Sequence, residues 1–380
     1  MSALDLLSGD AQTFRTKVWA SHVHLHQTDP SLLTGLLSLD DVDQLLTGSA
    51  IRTPAVRIAQ DGSVLPASRY TRSATMAGEP LTGLVDARKV LDLFEAGASV
   101  VLQGLHRYWP PLTDLCAELE SELGHPCQAN AYLTPPGSQG FTVHSDTHDV
   151  FVFQTHGSKL WEVHEDGPDG PVPHEVLLEP GLSMYLPTGT PHAARAQQTA
   201  SLHVTIGINQ VTWRDLLDQV VRRELDAQPD AIAHLPAGYL DDPGTLADGL
   251  ADRLTRLADS LRAVDADDAA NLQVRRFLGA RPSRLRGGLR DRLVLADIAD
   301  DTPLRRRTGH PMRLETEAGR VHVLLGDRTV TVPGLLRPAL DALRDLTELS
   351  PADLADHLDA QSRLVLCRRL VREGLLEVVA

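Results

Sequence analysis

Cysteine is scarce in this chain: Cys116, Cys127 and Cys367 are the three in 380 residues, scattered and odd in number. They lack metal-ligand spacing, which argues against a zinc–thiolate site, and they are expected to be free thiols in a reducing cytoplasm. No run of 18 apolar residues occurs, so a membrane-spanning helix is excluded. The first ten residues lack the basic-then-apolar order of a signal peptide, and the expected location is cytoplasmic. Basic charge is in deficit, with 36 Lys and Arg against 51 Asp and Glu and a formal net charge of −15. Such a surface does not generally coat nucleic acid, although its field suits a basic protein or peptide.

What is present is the composition of a soluble globular protein, 42% hydrophobic and 23% charged, and long enough for two or three domains. Residues 1 to about 90 mix helical and extended pieces. Residues 32–46 read as one helix, 53–66 as a hairpin turning at Asp61-Gly62, and 85–96 and 111–123 as helices around a strand at 99–103. From about 126 to 210 short apolar strands are split by Gly and Pro turns, a texture that favours a sandwich or barrel. After Trp213 the chain turns helical, with Leu246, Leu250, Leu254, Leu257, Leu261 and Val264 forming one stripe. Residues 275–292 are rich in arginine and read as a solvated linker. The last unit, 310–380, combines strands at 320–325 and 329–332 with helices at 337–346, 351–358 and 364–373. It suggests a winged helix, but Asp353, Asp356 and Asp359 make the would-be recognition helix acidic, so no direct DNA binding is expected.

The stretch that carries chemistry is Gln139-Gly-Phe-Thr-Val-His144-Ser-Asp146, followed much later by Leu186-Pro-Thr-Gly-Thr-Pro-His192. A histidine and an aspartate two apart in extended chain project to one side, and a turn after a strand can return His192 to them. Two imidazoles and one carboxylate on one face of an octahedron leave three open positions, as in non-haem Fe(II) oxygenases. His148-Asp149 offers a rival pairing, and His156, His164, His174 and His203 supply further imidazoles. The combination of H-x-D before a strand, G-x-K-x-W, and P-x-G-x-P-H after a strand favours His144, Asp146 and His192.

Over 126–210 the chain resembles the cupin-like JmjC protein hydroxylases of the ribosomal oxygenase group, through Asn130-Ala-Tyr132, His144-Ser-Asp146, Gly157-Ser-Lys159-Leu-Trp161, Leu186-Pro-Thr-Gly-Thr-Pro-His192 and Ser201-Leu-His-Val-Thr205. The resemblance implies an α+β chain. A double-stranded β-helix (jelly-roll) barrel with an N-terminal α/β extension would fill 1–212, a helical dimerisation region 213–295, and a winged-helix-like domain 296–380. It implies that His144, Asp146 and His192 take Fe(II), while Asn130, Tyr132 and Lys159 occupy the positions of the cosubstrate 2-oxoglutarate. A buried carboxylate of that cosubstrate needs a cation, which suits Lys159. Trp161 reads as core. The implied activity is hydroxylation of a side chain in a protein or peptide, by a homodimer. The competing readings are a cupin dioxygenase or isomerase acting on a small molecule without 2-oxoglutarate, a histone-type demethylase, and a non-enzymatic interaction protein.

Overall fold

The computed structural model describes the chain apart from Asp61, residues 139–142, 165–173 and 196–197, and Ala380. It falls into two compact units, Met1–Gln210 and Val211–Ala380.

Among its described residues the first unit contains thirteen strands. They are β1 (His24–Gln27), β2 (Val56–Gln60), β3 (Ser63–Val64), β4 (Thr71–Met76), β5 (Glu79–Val85), β6 (Ser99–Leu102), β7 (Cys127–Thr134), β8 (Asp149–His156), β9 (Lys159–Val163), β10 (His174–Leu178), β11 (Leu182–Leu186), β12 (His192–Arg195) and β13 (Ser201–Ile208). Eight form one sheet in the order β1-β11-β8-β13-β7-β6-β2-β3, three form a second in the order β10-β9-β12, and β4 pairs with β5. The named ladders are antiparallel, so one sheet face can pack on a scaffold while the other lines a site.

β8 explains why both faces are apolar. Its side chains alternate, as a strand dictates. Phe151 and Phe153 enter a core shared with Leu4, Leu7 and Phe14 of the N-terminal helices, whereas Val150 and Val152 meet Trp161, Val163, Val176 and Leu178 of the second sheet. β13 divides likewise: Leu202, Val204, Ile206 and Ile208 join the outer core, leaving His203, Thr205 and Gly207 on the inner face. Gly207 is required there, since a Cβ would stand 2.5 Å from His148 Nε2.

Residues 32–46 are not one helix. The chain breaks between Pro30–Thr34 and Leu39–Thr47, because Ser38 caps the second helix through a reciprocal box with Asp41. The hairpin at β2–β3 is present, though Asp61 lies outside the described residues.

The second unit opens with helices Trp213–Asp226, Pro243–Arg262, Ala266–Gly279 and Gly288–Val294. The first two bury none of their residues, and Trp213 is 81% exposed. Strands β14 (Leu304–Arg306), β15 (Arg313–Glu317), β16 (Arg320–Leu324), β17 (Thr329–Pro333), β18 (Glu348–Leu349) and β19 (Leu376–Val378) make two three-stranded sheets. They share a core with helix Ala360–Arg372. Residues 351–358 supply one short 3-10 turn, Pro351–Leu354, rather than a helix. The arginine-rich stretch is not a solvated linker either. Two of its runs are helical, Arg275 pairs with Glu315, and Arg290 and Arg292 donate to the carbonyls of Val378 and Arg372. Beside it, buried Arg307 pairs with Asp291 and Glu377. Among the described residues no helix is long and apolar enough to cross a membrane, and the three cysteines are buried and form no disulfide.

Candidate active site

His144, Asp146 and His192 converge, with one ligand atom from each lying within 4.8 Å of the others. Local backbone ties create that convergence. His144 and His192 exchange main-chain hydrogen bonds of 3.0 and 2.8 Å, and the Gly189 N–H donates to the Asp146 carbonyl at 3.0 Å. His192 therefore opens a strand instead of sitting in a turn: β12 pairs with β9 on one side and with His144 on the other.

The His192 ring is oriented for coordination. Its Nδ1 lies 3.0 Å from the Thr190 carbonyl, which can only accept, so Nδ1 carries the proton and Nε2 keeps its lone pair. Nε2 faces Asp146 Oδ2 at 3.8 Å. Burial, followed by the neighbouring His144, lowers the His192 pKa, which keeps the imidazole neutral. Two imidazoles and a carboxylate arranged in this way form a donor set suited to Fe(II).

The rival pairing has other tasks. Asp149 is fully buried and accepts hydrogen bonds from Tyr185 Oη (2.5 Å), Gln210 Nε2 (2.5 Å) and both the N–H and Oγ1 of Thr188 (2.8 and 2.7 Å). Its oxygens anchor the loop that leads into His192, which makes it a support for the site. His148 covers Gly207, and His156 and His174 are exposed, each outside the triad.

The triad opens into a cavity of about 550 Å³, large enough for a small-molecule cosubstrate and part of a second ligand. Tyr132 and Lys159 line it. Asn130 does not. On the same face of β7, its amide oxygen accepts from the Gly104 N–H at 3.0 Å. Lys159 is 3% exposed and donates to Thr134 Oγ1 at 3.1 Å. It opens β9 because Gly157 turns the chain at φ +64, where a Cβ would stand 1.9 Å from the Ala200 carbonyl oxygen. No carboxylate pairs with it among the described residues, and burial lowers its pKa to about 8. A buried ammonium satisfied by one hydroxyl keeps unused capacity for a carboxylate. Trp161 is core and also cavity wall.

Sequence reasoning gave no task to three of the polar groups on this wall. Thr134 anchors Lys159. His203 is buried, is held neutral by that burial, and stacks on Tyr132 at 4.9 Å with rings 7° from parallel. Arg57 reaches the cavity from β2. Alternation in Ser201–Ile208 was the signal for His203, opposite the apolar positions; nothing local marked Arg57.

Comparison with known proteins gives the same direction. Residues 106–216 match the JmjC domain family. Human Ribosomal oxygenase 1 is 28% identical over 256 residues, covering 61% of this chain and 38% of that protein. The "Bifunctional lysine-specific demethylase and histidyl-hydroxylase NO66" of Branchiostoma floridae is 32% identical over 216 residues, covering 55% of this chain and 33% of that protein. The chain thus spans well under half the length of these curated relatives. Among solved structures, YcfD, a ribosomal oxygenase from Escherichia coli crystallised with cobalt and 2-oxoglutarate, superposes with a TM-score of 0.53 at 20% identity, covering 98% of this chain and 99% of that one. At that identity the likeness is one of fold, and it runs the length of both chains. Residues 106–216 thus match the JmjC domain, and over a larger part of its length the chain is similar to the ribosomal oxygenases.

Proposed function

We propose that the chain is an Fe(II)- and 2-oxoglutarate-dependent oxygenase that hydroxylates a side chain of a protein or peptide. The observation that carries this reading is Lys159, a buried cation lacking a carboxylate partner in the same cavity as the triad. In this reading His144, Asp146 and His192 hold the iron, and Lys159, assisted by Thr134 and Tyr132, takes the distal carboxylate of 2-oxoglutarate. Asn130 supports the wall through Gly104. Bound together, Fe(II) and 2-oxoglutarate supply oxidative decarboxylation of the cosubstrate and insertion of oxygen into a C–H bond. The chain's own contribution is geometric: Thr190 fixes the tautomer of His192, Asp149 fixes the loop that presents it, and the apolar inner face of β8 keeps water from the reacting carbon.

The two facing sheets of residues 1–212 are read as the double-stranded β-helix. Residues 213–295 are read as a dimerisation region, supported by the apolar side chains that the first two helices leave exposed, and 296–380 as a winged-helix-like domain. The acidic net charge suits a basic polypeptide substrate, and three cysteines without a disulfide suit the cytoplasm. Demethylation remains the second reading because the NO66 relative is named for both activities.

The test is succinate formation from 2-oxoglutarate with Fe(II), O2 and ascorbate, for wild type and His144→Ala. Turnover in wild type alone is expected. Absence of both turnover and 2-oxoglutarate binding in iron-loaded wild type would sink the proposal. Full turnover in Lys159→Ala would favour a cupin enzyme that does not use this cosubstrate.

A further inference from the structure

Arg57 is a second cation of the cavity, and the function proposed above leaves it without a task. Pairing runs Arg57–Val101 between β2 and β6, Val101–Tyr132 between β6 and β7, and Tyr132–His203 between β7 and β13. Residues paired directly across strands share a face, so Arg57 rises from the face that carries Tyr132 and His203. Its side chain is half-buried, and its Nε is shut off from solvent with no hydrogen-bond partner. No carboxylate pairs with it among the described residues. An arginine at a rim ordinarily turns its whole head to water; this one lies along the cavity wall.

The surrounding charges separate it from Lys159. The Tyr132 phenol stands in the field of both Asp146 and Arg57. Lys159 is perturbed by burial alone and acts on His203 instead. Arg57 stands on β2 of the eight-stranded sheet and Lys159 on β9 of the three-stranded one, so the two cations enter the cavity from different walls and mark different subsites. One dicarboxylate held by Lys159 and a metal leaves Arg57 for another ligand.

The geometry points to Arg57 as a specificity-determining residue for the substrate side chain delivered to the iron. Its guanidinium is always charged, carries five donors and has no acceptor. It admits an amide, a neutral imidazole or a carboxylate, and repels a lysine or arginine side chain. The surrounding peptide can still be basic, because the selection acts inside the cavity. This inference rests on the proposed function and narrows it to neutral or acidic target residues.

The experiment uses the full chain loaded with Mn(II) and 2-oxoglutarate, whose binding is measured first. The N-acetyl methylamides of asparagine, aspartate and lysine are then added at equal concentration, and paramagnetic relaxation of their protons reports approach to the metal. For wild type, the asparagine and aspartate probes are expected to be relaxed about tenfold more than the lysine probe. Arg57→Met keeps a long chain on the wall and should shrink the difference to about twofold, while Arg57→Glu should reverse it. Circular dichroism checks that both variants fold. Equal relaxation of all probes by wild type, an unchanged ranking in Arg57→Met, or no relaxation of any probe would overturn the inference. Failure of wild type to bind Mn(II) or 2-oxoglutarate would instead bring down the proposed function, and this inference with it.

Discussion

Each unit of the molecule buries a cation, and the two are treated in opposite ways. In the C-terminal unit Arg307 is matched by Asp291 and by Glu377, 3.2 Å away, and Glu377 also pairs with Arg305. In the N-terminal unit Lys159 is buried at least as deeply and meets one hydroxyl. A buried charge with its partners supplied by the fold belongs to the fold. A buried charge whose partner is missing has been placed for something that arrives. Substitution at the two positions should therefore give opposite results.

The largest effect is expected at Arg307. Arg307→Ala strands the buried Asp291 carboxylate, while Glu377 keeps Arg305, and should lower unfolding stability by about 3–5 kcal/mol, read by urea denaturation, while metal and 2-oxoglutarate binding stay intact. Loss of cosubstrate binding in that variant would break the comparison. Next comes Lys159→Met, for which 2-oxoglutarate affinity should fall about 100-fold by calorimetry, since one partner of a buried charge pair has been removed. The same variant should raise the stability of the ligand-free protein by up to about 3 kcal/mol, because the fold no longer has to hold an ammonium displaced from its usual value to about 8. A destabilised Lys159→Met would mean that the lysine belongs to the fold after all.

The pH dependence follows with its sign. Between about pH 8 and the ordinary lysine value, the unfolded chain binds the proton that folded Lys159 has lost. Stability of the ligand-free protein should rise with pH through that window, and the Lys159→Met variant should lack this contribution. Cosubstrate affinity should fall over the same interval as the ammonium is discharged. The smallest effect is expected on the exposed helices. Trp213→Ser should change unfolding stability by no more than about 0.5 kcal/mol, yet shift sedimentation from dimer towards monomer if those helices pair.

The site was legible where its chemistry is local. His144 and Asp146 stand two apart, and the turn before His192 is dense in Pro and Gly, so short motifs located all three. The strand that His192 opens was not legible, because its four residues acquire strand character only through β9 and His144. The partition of residues 32–46 depended on a Ser38–Asp41 capping box inside an otherwise periodic pattern. The arginine-rich stretch failed for a different reason: its partners Glu315, Arg372 and Val378 lie tens of residues away, and composition carries no record of them. Arg57 is the extreme case, since four strands must be in register before it has any meaning.

That dependence on register gives β8 a further consequence. Its phenylalanines and valines belong to different cores, so a slip of one residue would drive two aromatic rings into the cavity that His144, Asp146 and His192 line and leave the helices resting on valines. Such an error would be both a folding failure and a chemical one. At this strand the scaffold and the site depend on one and the same register, so each proofreads the other.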